Sequence, residues 1–271
     1  MPTSASLLIS TYNWPQALEL CILSALDQTV LPREILIADD GSKEETKLLI
    51  QELRKKTTVP IRHFWHEDIG FRKTIILNEA IRHSRFDYII QTDGDILLHH
   101  RFIEEHLANA KPGFYLRGSR TLIDEAATKE LIEGKNYRIH WLSKGVKNRF
   151  NSIHNRIISK LFMLLNDPHS IEGVKGCNFS FWKNDFVAVN GFNTDIVGWG
   201  REDSELAIRL INKQVFKQHL KFQAVCFHLH HTIFSRDRDE RNMKMLEAAI
   251  ENKTVWAENG YSQTNQVIEM L

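Results

Sequence analysis

The chain is poor in the features that mark several large protein classes. Its 271 residues include three cysteines, Cys21, Cys177 and Cys226, which are scattered without metal-type spacing and cannot all pair with each other. A disulfide-stapled scaffold and a cysteine metal cluster are therefore not expected, and a reducing, cytoplasmic setting is. There is no excess of charge: 35 Lys and Arg stand against 34 Asp and Glu, a net of +1, so no overall field draws the protein to nucleic acid, and no nucleic-acid partner is expected. No apolar run is long enough to span a bilayer. The opening MPTSASLLISTYNW has no basic flank and too short an apolar stretch for a signal peptide. Membrane contact would then be peripheral, at the inner face of the cell membrane. Internal repeats and low-complexity linkers are missing too. What remains is a length sufficient for one large globular core, with or without an added lobe.

The most informative stretch is FDYIIQTDGDILL, residues 86–98, where an apolar run ends in two carboxylates one residue apart. Tyr88, Ile89 and Ile90 read as a buried strand, which puts Asp93 and Asp95 at its carboxyl end, where open α/β sheets hold their ligands. Gly94 between them suits a sharp turn that faces both acids to one cation or a ribose hydroxyl. Around this stretch, strand-like runs at 6–10 (SLLIS), 34–38 (EILIA) and 61–65 alternate with helical periodicity at 15–26 and 43–56. That order predicts an α/β fold, with a central, mostly parallel sheet flanked by helices and joined by right-handed crossovers. The first two strands end in polar loops, Thr11-Tyr12-Asn13 and Asp39-Asp40-Gly41-Ser42. Residues 70–83, GFRKTIILNEAIRH, read as a helix whose basic start, with Arg72 and Lys73, favours phosphate.

From 121 to 167 the pattern changes to helical periodicity with many bases and no strand-like run, predicting a helical insertion or lid. Within it, 144–165 is a basic amphipathic stretch suited to peripheral membrane contact or to a lipid-linked acceptor. The alternative is a helix packed on the domain with a solvated basic face. A strand at 176–182 then leads to GWGREDSE, where glycines flank Trp199 and leave its flat indole available for a sugar. Glu202, Asp203 and Glu205 open the next helix; acids there also serve ordinary capping. Residues 222–231, FQAVCFHLHH, read as a strand whose alternation puts Cys226, His228 and His230 on one face and His231 on the other. Three histidines at a strand end, in a chain with a DxD, point to a metal ligand.

Taken in order, STYN, ADDGS, GFRKTIILNEAI, TDGD and GWGREDSEL resemble the inverting family 2 glycosyltransferases of GT-A fold. The second half resembles the galactosyltransferase-type carboxyl-terminal region of chondroitin-polymerase modules and β-1,4-galactosyltransferases. The resemblance implies a nucleotide-binding half at 1–120, the insertion at 121–167, an acceptor and catalytic half at 168–235, and a helical tail at 236–271. It implies that Thr11, Tyr12 and Asn13 line the nucleotide pocket, that Asp39 accepts from the uracil ring, and that Lys73 lies near the nucleotide. Asp93 is expected at the ribose and metal side, and Asp95 as direct ligand of Mn²⁺ or Mg²⁺. Trp199 is expected at sugar and acceptor, Glu202 at the donor sugar hydroxyls, and Asp203 as general base. His228 best matches the late metal-ligand histidine, with His230 as competitor. Arg201 departs from the resemblance, since many relatives have a second glycine there.

The implied activity is transfer of a hexose or N-acetylhexosamine from a UDP-sugar to a glycan or lipid-linked acceptor, in bacterial capsule, lipopolysaccharide or related surface polysaccharide synthesis. Two other readings compete. A strand followed by DxD also opens the nucleophile motif of dehalogenase-type phosphatases, but there the motif is usually near the N-terminus and followed by Thr or Val, which Ile96 and Leu97 do not supply. A carbohydrate- or nucleotide-binding module without chemistry would keep the pocket, yet the carboxylates are intact at all three sites.

Overall fold

The computed structural model describes residues 2–232 and 238–264 and the backbone of 269–270. Elements alternate through the first half: β1 (Ser6–Thr11), α1 (Pro15–Leu26), β2 (Glu34–Asp39), α2 (Glu44–Arg54), β3 (Ile61–Trp65), α3 (Lys73–Arg82), β4 (Tyr88–Asp93), β5 (Ile96–Leu98), α4 (Phe102–Asn109) and β6 (Phe114–Gly118). Then come β7 (Arg120–Ile123), α5 (Glu125–Glu133), β8 (Val146–Lys147), α6 (Arg156–Leu164), β9 (Phe179–Trp182), α7 (Lys183–Ala188), α8 (Glu202–Asn212), β10 (Phe216–Leu220), β11 (Cys226–His228), α9 (Asp239–Glu251) and β12 (Glu269–Met270).

The main sheet has the order β10-β6-β9-β4-β1-β2-β3-β12. β4, β1, β2 and β3 are parallel, and β9 runs against both β4 and β6. The expected central, mostly parallel sheet flanked by helices is therefore present. β1 and β2 are buried along their whole length. Their alternate residues feed two separate cores: Leu7, Ile9, Ile35 and Ile37 pack with Leu18, Cys21 and Ile22 of α1. Leu8, Leu36 and Ala38 pack with Ile76, Leu77 and Ala80 of α3 and Leu206 and Leu210 of α8. Burial on both faces explains why these strands read as unbroken apolar runs.

A second, four-stranded sheet, β5-β11-β7-β8, stands beside the first. It corrects the expectation that 121–167 holds no strand: β7 and β8 pair antiparallel there, around helix α5. It also shortens the expected 222–231 strand to Cys226–His228. Among the described residues, no helix is long and apolar enough to cross a membrane. All three cysteines are buried and free.

Candidate active site at the carboxyl ends of β1, β2 and β4

β4 ends at Asp93 and β5 begins at Ile96, so the first acid of the DxD closes the strand and Gly94 and Asp95 form a two-residue turn. Gly94 serves close approach rather than a left-handed turn: its N–H donates to Ser10 O at 2.7 Å, and a Cβ there would stand 3.1 Å from Ser10 O and 3.2 Å from Thr11 Oγ1. Asp93 is thereby pressed against β1, where its Oδ1 accepts from Ser10 Oγ at 2.7 Å and from Lys73 Nζ at 2.8 Å. α3 starts at Lys73, three residues later than expected, because Arg72 N–H is taken by the Asp40 carboxylate at 3.0 Å. Arg72 itself turns to Glu67 O. Lys73 therefore points into the acids, with its ammonium also 3.8 Å from Glu202 Oε1. Burial alone disfavours that charge, but Asp93, Glu202 and Asp203 outweigh it and hold the Lys73 pKa above the ordinary lysine value.

Glu202 and Asp203 open α8. Burial, reinforced by the adjacent Asp203 charge and opposed by Lys73, pushes Glu202 up to about 7. Asp203 is raised as well, by burial first, with Asp93 adding and Lys73 opposing. Asp203 Oδ2 accepts the Gly176 N–H at 2.7 Å, whereas its buried Oδ1 has no hydrogen-bond partner among the described residues. Both side-chain polar atoms of the buried Gln91 are likewise unpartnered. A Cβ on Gly176 would lie 2.6 Å from both Asp203 Oδ1 and Gln91 Nε2, so glycine keeps open the space these atoms face. One carboxylate oxygen is thus anchored and the other is uncommitted, which is what a proton acceptor requires.

Asp95 meets two imidazoles. The β5–β11 register sets His228 opposite Ile96, and Leu229 N–H donates to Asp95 O at 3.0 Å, which brings His228 Nε2 within 3.3 Å of Asp95 Oδ2. His231 Nε2 lies 3.2 Å from the same oxygen. One ligand atom from each of Asp95, His228 and His231 fits within 4.8 Å, a spacing fit for a single cation. Asp95 Oδ1 is buried and unpartnered among the described residues. Burial would raise Asp95, yet the two histidines hold it well below the usual carboxylate range, and Asp95 in turn raises His231.

His230 is not in this group, and the expectation for it is corrected. β11 ends at His228, so the alternation that paired His228 with His230 stops there. The chain turns, His230 is exposed with its N–H on Thr128 Oγ1 at 2.8 Å, and His231 comes round to the acid instead.

The two loops expected to line a nucleotide pocket are tied together. Asn13, at a left-handed φ of 48°, donates its N–H to Ser42 Oγ at 2.8 Å and accepts Lys43 N–H on its Oδ1 at 2.9 Å. Thr11 is buried, and Tyr12 OH donates to Asp68 Oδ2 at 2.9 Å. Asp39 accepts Ser42 N–H at 2.8 Å and shares a 2.8 Å hydrogen bond with His63 Nε2. It lies at the floor of a cavity of about 220 Å³ lined also by Lys43, Lys47, His63 and Trp65. Ser10, His63 and Gln91 were not singled out from the sequence, and His231, counted among the three strand-end histidines, was placed on the face away from His228. Each contacts or faces a site acid, and the usable signal was a polar side chain inside an otherwise apolar strand for the first three.

Trp199, 37% exposed, sits between Gly198 and Gly200, whose φ values are +85° and +99°. Arg201 also adopts a left-handed φ, of 78°, which explains why glycine suits that position. Its guanidinium leaves the strap for α9, donating to Asp239 Oδ1 at 2.8 Å and Oδ2 at 3.3 Å.

The DxD, the two histidines beside it and the acid pair at the start of α8 are carried on a fold whose structural neighbours are GT-A glycosyltransferases. The fold is shared with a mannosyltransferase from Pyrobaculum calidifontis solved with GDP-Man and Mn²⁺, at 16% identity and a TM-score of 0.62 over 92% of this chain and 64% of that one. It is also shared with S. aureus TarS in complex with UDP, at 13% identity and a TM-score of 0.61 over 97% and 68%.

Residues 6–163 match glycosyl transferase family 2, and residues 158–232 match the N-terminal domain of galactosyltransferase. The chain belongs to glycosyl transferase family 2. Among curated relatives, the chondroitin synthase of Pasteurella multocida (strain Pm70) is 25% identical over 225 residues, covering 78% of this chain and 23% of that protein. The chondroitin synthase of Escherichia coli is 24% identical over 231 residues, covering 76% and 32%. The chain thus spans between about a quarter and a third of the length of these relatives. Membership settles the class as a glycosyltransferase and removes the phosphatase reading of the DxD.

Proposed function

We propose that the protein is an inverting glycosyltransferase that moves a hexose or N-acetylhexosamine from a UDP-sugar to a hydroxyl of a glycan or lipid-linked acceptor, with Mn²⁺ held by Asp95, His228 and His231. The observation that carries this reading is that Asp203, with one anchored and one uncommitted carboxylate oxygen, shares a site with the Asp93–Lys73 pair. UDP as the donor nucleotide is supported by the Asp39 cavity, where a buried acid beside the Trp65 ring suits a pyrimidine, and by TarS, solved with UDP. A polysaccharide product is supported by the chondroitin synthase relatives, and surface polysaccharide synthesis in the cytoplasm is the setting proposed.

The residues fit a divalent cation. A carboxylate with a buried unpartnered oxygen and two imidazoles form a mixed oxygen and nitrogen set that favours Mn²⁺ over Mg²⁺, and the mannosyltransferase neighbour was solved with Mn²⁺. When bound, the cation supplies positive charge against the departing diphosphate. Lys73, kept protonated by its acidic neighbours, adds a second positive charge on the same side. Asp203 Oδ1 accepts the proton of the attacking acceptor hydroxyl while Gly176 N–H keeps the carboxylate oriented. A single displacement turns an α-linked donor into a β-linked product. Glu202 meets the donor sugar hydroxyls, and Trp199 offers the sugar its indole face.

Replacing Asp203 by Asn is expected to leave UDP binding intact and lower transfer by about 10²–10⁴-fold. Turnover at the wild-type rate would remove Asp203 from the role of base. A panel of UDP-sugars, read by Mn²⁺-dependent hydrolysis and thermal stabilisation, identifies the donor.

A further inference from the structure

We propose that the segment 134–166 forms a docking surface for an anionic lipid bilayer. Charge in this chain is balanced overall, at +1, but uneven along the sequence: 134–166 contains seven Lys and Arg residues and no Asp or Glu. Lys135, Arg138, Lys144, Lys147 and Arg156 pair with acids of neighbouring elements, while Arg149 and Lys160 have no acidic partner among the described residues. Within it α6 is turned inside out. The only fully buried residue of the helix is Ser159, while Ile157 is 77% exposed, Leu161 59%, and Leu164 and, one residue beyond the helix, Leu165 are 83% and 82% exposed. Their spacing of four, seven and eight residues from Ile157 puts them on one face, with Ile158 and Phe162 beside it and Arg156 and Lys160 along one border.

The outward face is not a frayed end. Asn155 Oδ1 caps the helix by accepting from Ile157 N–H and Ile158 N–H at 3.0 and 2.9 Å, and Asn155 N–H donates to Phe222 O at 2.9 Å. Phe162 packs edge-on against Phe222 at 5.2 Å, and Arg156 pairs with Glu104 on α4 at 2.6 Å. The body of the protein therefore holds α6 in place while its large aliphatic side chains face solvent, a patch that soluble monomers rarely tolerate without a use.

The chemistry of the surround selects the occupant. In the preceding part of the same segment, exposed Trp141, Leu142 and Phe150 flank Lys144, Lys147 and Arg149, the mixture of amphipathic aromatics and long cationic side chains that settles at a headgroup boundary. Lys144 and Lys147 also reach Glu130 and Asp124, but these pairs are exposed and weak, and Lys160 has no acidic partner among the described residues. A second copy of the chain meeting this face across a two-fold axis would bring the same bases against each other. α6, at nine residues, is far too short to span a bilayer and suits lying in its interface.

The test is co-sedimentation of the whole chain with vesicles of phosphatidylglycerol and phosphatidylcholine, against phosphatidylcholine alone. The chain is expected to sediment with the anionic vesicles, less so as salt rises. The triple substitution Leu161→Ser, Leu164→Ser and Leu165→Ser is expected to lower partitioning at least about tenfold, and Lys160→Glu to weaken it and flatten its salt dependence. Since these side chains are exposed, both variants should keep the wild-type thermal midpoint. Asp203→Asn should bind vesicles as the wild type does, so this outcome is separate from that of the catalytic reading. Absence of anionic-vesicle binding by the wild type, or full binding by the triple variant, would overturn the proposal. So would a concentration-dependent dimer in lipid-free buffer that the triple variant abolishes, since that assigns the face to a second copy.

Discussion

Glu202 is held in an environment unlike that of a surface acid, buried at the start of α8 beside Asp203. Its folded pKa, raised to about 7 from an ordinary 4.5 by burial and by Asp203, means that the unfolded chain releases this proton first as pH rises. Between 4.5 and about 7 the unfolded state binds fewer protons, so this group's contribution to stability is full at low pH and is lost as pH rises through the folded value. Glu202→Gln is expected to raise the thermal midpoint by on the order of 2–4 °C at pH 8 and by less at pH 5. A gain equal at both pH values would show that Glu202 is not titrating. Residues such as Asp93, Asp95, Asp203 and His228 were legible because they stand in motifs beside apolar runs. His231 was not, since its place depends on where β11 stops and how the chain turns afterwards, and strand alternation is silent on both.

At the scale of elements, Arg201 couples the start of α8 to α9. A left-handed φ on an arginine costs on the order of 1 kcal/mol, and the two hydrogen bonds to Asp239 offset a similar amount, discounted because both side chains are partly exposed. Asp239→Ala alone keeps the strain and loses the contact, so it should destabilise by roughly 0.5–1 kcal/mol in urea unfolding. Arg201→Gly loses both together and should be close to neutral. In the Arg201→Gly background Asp239→Ala is expected to cost almost nothing, and strictly additive effects would refute the coupling. The same scale explains which elements the sequence announced. β1, β2 and β4 are central, buried on both faces and carry apolar runs of at least three residues, whereas β7, β8 and β10 carry charged residues such as Arg120, Lys147 and Lys217 and take their strand form from pairing with distant partners.

Over the whole molecule, the two sheets meet at Asp95. Asp95 stands in the turn between β4 of the main sheet and β5 of the second, the antiparallel β5–β11 pairing sets His228 against it and the turn after β11 brings in His231, so ligands 133 and more positions apart in sequence share one site. Sequence motifs announced the alternation of strands and helices and both carboxylate clusters, because local patterning encodes strand ends and helix starts. They left open which histidines converge, because register between distant strands is a property of the assembled fold. A cation held by ligands so far apart in sequence binds the folded chain far better than the unfolded one, and at about 100 times its dissociation constant should stabilise by about 2.7 kcal/mol. Mn²⁺ is therefore expected to raise the thermal midpoint of the wild type and of His230→Ala alike, and chelation to reverse it. In His231→Ala and His228→Ala, which each lose one imidazole from the group, the Mn²⁺-dependent rise should shrink sharply without any nucleotide present. If instead His230→Ala abolishes the rise and His231→Ala keeps it, the metal group is wrongly drawn, and with it the turn that carries His231 to Asp95.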